Sequence, residues 1–295
     1  MRHLRVVYNP LSGQGRFAAR LDNLAALAQK HGYLMSLYRL TGDNQHDCDN
    51  MLLGTSDQAV VVVAGGDGTM QMVVDTQVKC QLDLPVALMP YGTSNDFADF
   101  VGLDTNPANI FSNMEKGKAT RIDIGTADGT CFANVFSAGQ LTKTSHGVER
   151  RFKNQLGMLA YYLHGVGNLP RISPFEITLG GDLDGTLSCL LLLTVNGGSA
   201  GGFKNMAPRA SLTDGLLETI IVRECSLAEM AGVIWAVLRG EHSNNPSVIY
   251  ARTANLEVQG PEHIDTDVDG ERGPAMPLKV GVLPRRIQLL GAGSS

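Results

Sequence analysis

The richest chemical content of this 295-residue chain lies in Gly65-Gly66-Asp67-Gly68-Thr69. Glycines tolerate positive φ and let a ligand approach the main chain with no Cβ in the way. Val60–Ala64 just before them reads as a strand buried on both faces. Met70, Val73, Val74 and Val78 follow near helical spacing, so the segment is predicted as strand, tight turn, helix. A helix opening at a bare turn offers N–H groups and a positive dipole end, which together suit a phosphate. Asp67 cuts against that, since a carboxylate repels a phosphate unless a divalent cation lies between them or the acid only caps the helix that follows. The turn as a whole suggests nucleotide phosphates with Mg²⁺.

Two more turns have the same character. Asn9-Pro10-Leu11-Ser12-Gly13-Gln14-Gly15 follows a predicted strand at Arg5–Tyr8 and precedes a helix predicted from about Arg16 to Lys30. It is not a Walker loop, and such turns are often glycine-rich for steric reasons alone. Pro90-Tyr91-Gly92-Thr93-Ser94-Asn95-Asp96-Phe97-Ala98 follows a predicted strand at Val86–Met89. Open parallel sheets bind ligands at the carboxyl ends of their strands, so three such turns would converge on one crevice.

The later candidates are acidic. Thr213-Asp214-Gly215 before a strand reads first as an ordinary turn. Asp265-Thr266-Asp267-Val268-Asp269-Gly270-Glu271 crowds its carboxylates, which calls for a cation, a solvated loop or one acid of raised pKa. Counted as an EF-hand it fails, because position twelve is Met276 where a bidentate glutamate is required, and Pro274 and Pro277 oppose an exiting helix. The histidines show no metal spacing, and no GxSxG elbow is present. Lys143–Lys153 is basic and precedes apolar residues; it reads as a solvated turn before a core helix, or as a contact for an anionic membrane.

These residues need elements to position them. Further strands are predicted at Tyr33–Leu40, Arg121–Thr126, Cys131–Ser137, Phe175–Leu179, Thr186–Val195, Leu216–Val222, Leu256–Val258, His263–Val268 and Leu278–Leu283. Helices are predicted near Cys48–Leu53, at Pro107–Met114, at Asn154–Val166, and at Leu227–Arg239 behind a Ser226-x-x-Glu229 capping box. Alternating β and α followed by mostly β gives two domains with a boundary near residue 120. A net charge of −5 without a basic block argues against nucleic acid. Five scattered cysteines with no CxxC pair read as reduced thiols of a cytoplasmic protein. No apolar run approaches the ~20 residues of a membrane helix, so any membrane contact is peripheral.

In this order the pieces resemble the diacylglycerol-kinase catalytic-domain family, the soluble lipid kinases that include bacterial diacylglycerol kinases and the sphingosine and ceramide kinases. The resemblance rests on Asn9-Pro10 with Ser12-Gly13, Gly65 to Thr69, and Gly92-Thr93-x-Asn95-Asp96-Phe97-Ala98. It continues through Ala207-Pro208-x-Ala210 to Asp214-Gly215-Leu216-Leu217-Glu218, and ends at Asp269-Gly270-Glu271. Ser137 to Thr142 departs from the family's Gly-x-Gly-Phe-Asp-Ala-like stretch, which bears on which lipid is accepted.

The resemblance implies an α/β nucleotide-binding domain, Rossmann-like and akin to NAD kinases and phosphofructokinases, over 1–120 with a returning strand in 285–295. It implies a β-rich sandwich domain for the lipid acceptor over 121–284. ATP would be met by Asn9, Pro10, Ser12, Gly13, Gly15, Thr41, Gly65, Gly66, Asp67, Gly68, Thr69, Gln71, Thr93 and Asn95. Mg²⁺ would be met by Ser211, Asp214 and Leu216. Glu271 would be the general base, and Asp67 would act through Mg²⁺. The expected activity is phosphoryl transfer from ATP to a lipid hydroxyl at the inner face of a membrane, by a chain compatible with a homodimer. The rival readings are an NAD kinase-like enzyme with a soluble acceptor, a non-catalytic nucleotide-binding regulator, and a calcium-binding protein using Asp265–Asp269.

Overall fold

A computed structural model describes residues 2–55, 58–93, 95–103, 106–115, 119–139, 173–201 and 203–291. The expectations for Asn154–Val166, Lys143–Lys153 and Gln140–Thr142 lie outside the described residues. The chain divides into two compact units, one of residues 1–124 and 284–295 and the other of residues 125–283.

The first unit is built on parallel strands. β1 (Arg2–Tyr8), β2 (Tyr33–Arg39), β3 (Ala59–Gly65) and β4 (Val86–Pro90) lie in the order β2-β1-β3-β4. The far end of β15 (Leu278–Leu290) runs parallel to β4 through Leu289 and Leu290. β3 is central because its valines are β-branched and bury on both faces, with Val61, Val62 and Val63 all fully enclosed. One core gathers Leu4, Val6, Val62, Ala87 and Met89 with Phe17, Leu24 and Phe111.

Among the described residues this unit has five helices: α1 (Leu21–Lys30), α2 (Asn44–Asn50), α3 (Asp67–Lys79), α4 (Asp96–Phe100) and α5 (Pro107–Glu115). α1 begins later than the predicted Arg16. Gly13 and Gly15 take φ of +55° and +74°, and short 3-10 turns occupy Ser12–Gly15 and Ala18–Arg20 instead. α2 sits earlier than the predicted Cys48–Leu53 because Asp43 caps it, accepting the His46 N–H at 3.2 Å. α4 was not anticipated from its sequence.

The second unit is antiparallel. β5 (Ala119–Ala127) leads in and pairs with β6 (Thr130–Phe132). The long β9 (Gly185–Val195) organises the remainder, pairing with β7 (Val135–Ala138), β8 (Phe175–Gly181) and β10 (Leu217–Arg223). β11 (Val248–Thr253) extends β10, and β12 (Asn255–Gln259) joins β8 to the start of β15. β13 (Thr266–Val268) and β14 (Glu271–Arg272) complete the β7 edge. Phe132, Phe136, Ile177, Leu192, Ile221 and Val258 share one core. A second core forms where α6 (Leu227–Arg239) contributes Met230 and Val233 against Leu190, Ile220 and Val222. The capping box of α6 is present as expected, and Gly240 closes it in the left-handed conformation.

The predicted strand Cys131–Ser137 is broken at Ala133 and Asn134, whose N–H groups go to the Asp269 carboxylate rather than to a ladder. Residues 261–264 form a turn, with the Ile264 N–H on the Pro261 carbonyl at 3.1 Å, so β13 is shorter than the predicted His263–Val268. The predicted strand Leu278–Leu283 and the returning strand that the resemblance implies are one continuous strand.

Candidate functional site

In the first unit the three glycine-rich turns meet at the carboxyl edge of the parallel strands. The Tyr91 N–H donates to the Gly65 carbonyl at 2.9 Å, and the Asn9 N–H to Ala64 at 3.4 Å. A Cβ on Gly13 would lie 2.0 Å from the Tyr91 carbonyl oxygen, and one on Gly92 would lie 2.4 Å from the Gly66 Cα. A Cβ on Gly65 would strike the Thr69 hydroxyl at 2.3 Å. Much of the glycine signal is therefore a packing requirement of one turn against another. The result is a bare main-chain surface at which α3 opens with its positive end.

Several of the predicted nucleotide contacts have a definite local role. Asn9 closes its own turn, accepting the Leu11 N–H at 2.9 Å, with Pro10 and Ser12 in that turn. Asn95 sits at a left-handed φ of +54° and clamps Gly92 at both ends, accepting its N–H at 2.8 Å and donating to its carbonyl at 3.1 Å. That clamp leaves Thr93 exposed at the tip. Thr69 and Gln71 are buried on α3. Thr41 lies two residues past β2, where its N–H (2.7 Å) and hydroxyl (3.2 Å) both reach the fully buried Asp47. Sequence reasoning missed Asp47, because an aspartate in a short polar helix reads as solvated.

Asp67 is tied to the third turn. Its carboxylate accepts the Asp96 N–H at 3.2 Å and the Phe97 N–H at 3.1 Å, capping α4 from a distant part of the chain. Burial pushes its carboxyl above the ordinary range, partly opposed by these main-chain donors. The helix whose first amides Asp67 meets is α4, not the helix α3 that it opens. A cavity of 220 Å³ beside Arg20, Leu24 and Asn106 shares only Tyr91 with these turns, so it is separate from the glycine surface.

The acidic candidates of the second unit form two local arrangements. In the first, Asp214 accepts the Leu216 N–H at 3.1 Å and pairs with the Arg252 guanidinium. The Ser211 hydroxyl lies 3.3 Å from that of Thr213. A carboxylate, a hydroxyl and a main-chain carbonyl at Leu216 are oxygen donors of the kind Mg²⁺ takes alongside its waters, so the donor set fits, with Arg252 now on the carboxylate. Among the described residues, no group of three or more His, Cys, Asp or Glu is placed to hold a metal.

In the second arrangement the crowded carboxylates are met by main-chain amides. Asp269, at φ +51°, accepts N–H groups from Ala133 (2.6 Å), Asn134 (3.0 Å) and Val135 (2.7 Å), and Asp267 accepts from Gly270 at 2.8 Å. This braced turn carries Glu271 onto β14, where its side chain is exposed.

Comparisons with known proteins agree along the whole chain. Residues 3–127 match the family described as diacylglycerol kinase catalytic domain, and residues 134–291 match the YegS C-terminal NAD kinase beta sandwich-like domain. A protein named diacylglycerol kinase from Bacillus subtilis is 33% identical over 98% of this chain and 96% of its own length. The chain belongs to the diacylglycerol kinase catalytic-domain family. Another relative of that name, from Staphylococcus carnosus, is 28% identical over 98% of this chain and 94% of its own. Among solved structures, a putative diacylglycerol kinase from Bacillus anthracis shares the fold with TM-score 0.80 at 22% identity, covering 98% of this chain and 95% of that one. An NAD kinase from Archaeoglobus fulgidus matches at TM-score 0.52 and 12% identity over 100% of this chain and 94% of that one. The expected pairing of an NAD kinase-like α/β domain with a β-sandwich domain is thus the fold this family member has. Among its described residues, no helix is long and apolar enough to cross a membrane.

Proposed function

We propose that this family member transfers the γ-phosphoryl group of ATP to a hydroxyl of diacylglycerol or a related lipid, met peripherally at a membrane surface. The observation that carries the reading is the meeting of Asn9–Gly15, Gly65–Thr69 and Gly92–Asn95 at one strand edge, in a chain whose relatives bear the name diacylglycerol kinase. Bound MgATP would supply the phosphoryl group and its counter-charge, which leaves positioning, charge neutralisation and proton removal to the protein.

The chain's own residues have the chemistry for those tasks. The bare turns and the opening of α3 offer amide donors to phosphate oxygens. Asp67 holds the Gly92–Phe97 turn in place, which makes it a positioning residue on this reading. Asp214, with oxygens from Ser211 and Leu216, would hold a divalent cation. The Glu271 carboxylate has no hydrogen-bond or ion-pair partner among the described residues, so it is available to take the acceptor's proton.

The test is a panel of acceptors with radiolabelled ATP and Mg²⁺: diacylglycerol, a sphingoid base, ceramide and phosphatidylglycerol in mixed micelles, and NAD in solution. Label in a lipid supports the reading. Label in NAD, or ATP binding with no product on any lipid, overturns it.

A further inference from the structure

Asp214 and Arg252 belong to a larger arrangement. Glu218 on β10 stands directly opposite Arg252 on β11, and the Arg252 Nε lies 3.2 Å from its Oε1. Arg252 therefore touches two carboxylates at once, Glu218 and the Asp214 Oδ2. The two differ in surroundings. The Glu218 side chain is 3% exposed and that of Asp214 is 28% exposed. The second Glu218 oxygen, Oε2, has no hydrogen-bond partner. Tyr250 lies beside Glu218, and burial together with the carboxylate raises the pKa of its hydroxyl, a contact that leaves Oε2 without a charged partner.

A buried acceptor left unpaired is costly, and a guanidinium is shaped to engage a carboxylate through two parallel N–H groups. Glu218 thus offers Arg252 a second, incompletely used seat within reach of the first. The Arg252 side chain is 40% exposed and has room to rotate.

We propose that Arg252 is a built-in counter-ion that competes with a divalent cation for Asp214, withdrawing onto both oxygens of Glu218 when the cation binds. This rests on the reading of Asp214 as a cation ligand. A guanidinium and a divalent cation on one carboxylate repel each other, so cation affinity falls as the fraction of molecules with Arg252 on Asp214 rises. Glu218 then acts on the cation site only through Arg252, as a positioning residue that draws the guanidinium away.

The experiment is calorimetric titration of MgCl₂ into the full chain, without nucleotide or lipid. If the Asp214-paired form outnumbers the free form by about ten to one, Arg252→Gln binds Mg²⁺ about tenfold more tightly than the unaltered chain. Glu218→Gln weakens binding, and that weakening disappears in the Arg252→Gln background, because the two residues act as one unit. Unchanged affinity in Arg252→Gln overturns the proposal. So does a Glu218→Gln effect that persists undiminished without Arg252, since Glu218 would then act on the cation by its own charge. Asp214→Asn must abolish the binding event, and Mg²⁺ binding that survives it overturns both the competition and the cation reading. Failure of the kinase reading would appear separately, as absence of labelled lipid, with these titrations unaffected.

Discussion

Replacing Asp67 by alanine removes the acceptor shared by the Asp96 and Phe97 N–H groups, and α4 has only five residues with which to compensate. Hydrogen bonds to an ionised acceptor contribute about 1.5–3 kcal/mol each, and the low end applies because burial already disfavours the charged form of this carboxyl. Two bonds at about 1.5 kcal/mol make roughly 3 kcal/mol, which at about 1.4 kcal/mol per decade opens α4 roughly a hundredfold more often. Hydrogen–deuterium exchange at the amides of residues 96 and 97 reads this directly, since exchange from the native state follows local opening. Asp67→Asn keeps one neutral acceptor worth about 1 kcal/mol, so its exchange should rise roughly thirtyfold, between the other two. Exchange at both amides within about twofold of the unaltered chain in Asp67→Ala would refute the positioning role. If activity nonetheless vanished, Asp67 would have to act on the bound ligands themselves.

Gly92→Ala forces a Cβ to 2.4 Å from the Gly66 Cα, and relieving such a backbone contact costs about 1–3 kcal/mol, visible as a lower unfolding midpoint and weaker ATP binding. Asp269→Ala strips the acceptor from three amides of residues 133–135, a loss of about 3–6 kcal/mol at roughly 1–2 kcal/mol per bond, measured by denaturant unfolding followed in the second unit. His242 is fully buried, and burial lowers its pKa from the ordinary 6.5, only partly opposed by the Met206 main chain. Its contribution to stability is therefore complete above that unfolded value of 6.5 and is lost as pH falls toward the lower folded one. The drop in melting temperature between neutral and mildly acidic pH should shrink in His242→Phe. An unchanged drop would show that the ring is not the group responsible.

The strand-turn-helix character of the first unit was legible because β-branched runs and glycine turns are local signals, and β3 with its turn lies where the valines and glycines place it. The site was legible only in part. Glycine marked the three turns, yet the reason for several glycines is contact between turns far apart in sequence, as at Gly13 with Tyr91 and Gly66 with Gly92. α4 escaped notice because its cap is Asp67, 29 residues earlier, and no local pattern announces a cap at that range. The split of Cys131–Ser137 has the same origin, in an acceptor at Asp269 on the far side of the unit's sequence. Crowded carboxylates suggested a cation, a solvated loop or one acid of raised pKa at 265–271, and no local pattern announced the main-chain amides that meet two of them. Arg252, which holds Asp214, carried no motif at all.

The most direct measurement of the central claim is transfer of labelled γ-phosphate to lipid by the unaltered chain and by Glu271→Gln, with ATP binding measured on the same preparations. Labelled lipid from the unaltered chain, a loss of about 10²–10⁴ in turnover for Glu271→Gln and undiminished ATP affinity are the predicted results. Equal turnover in the two proteins would contradict Glu271 as the base. No labelled lipid from the unaltered chain with any acceptor would contradict the account as a whole.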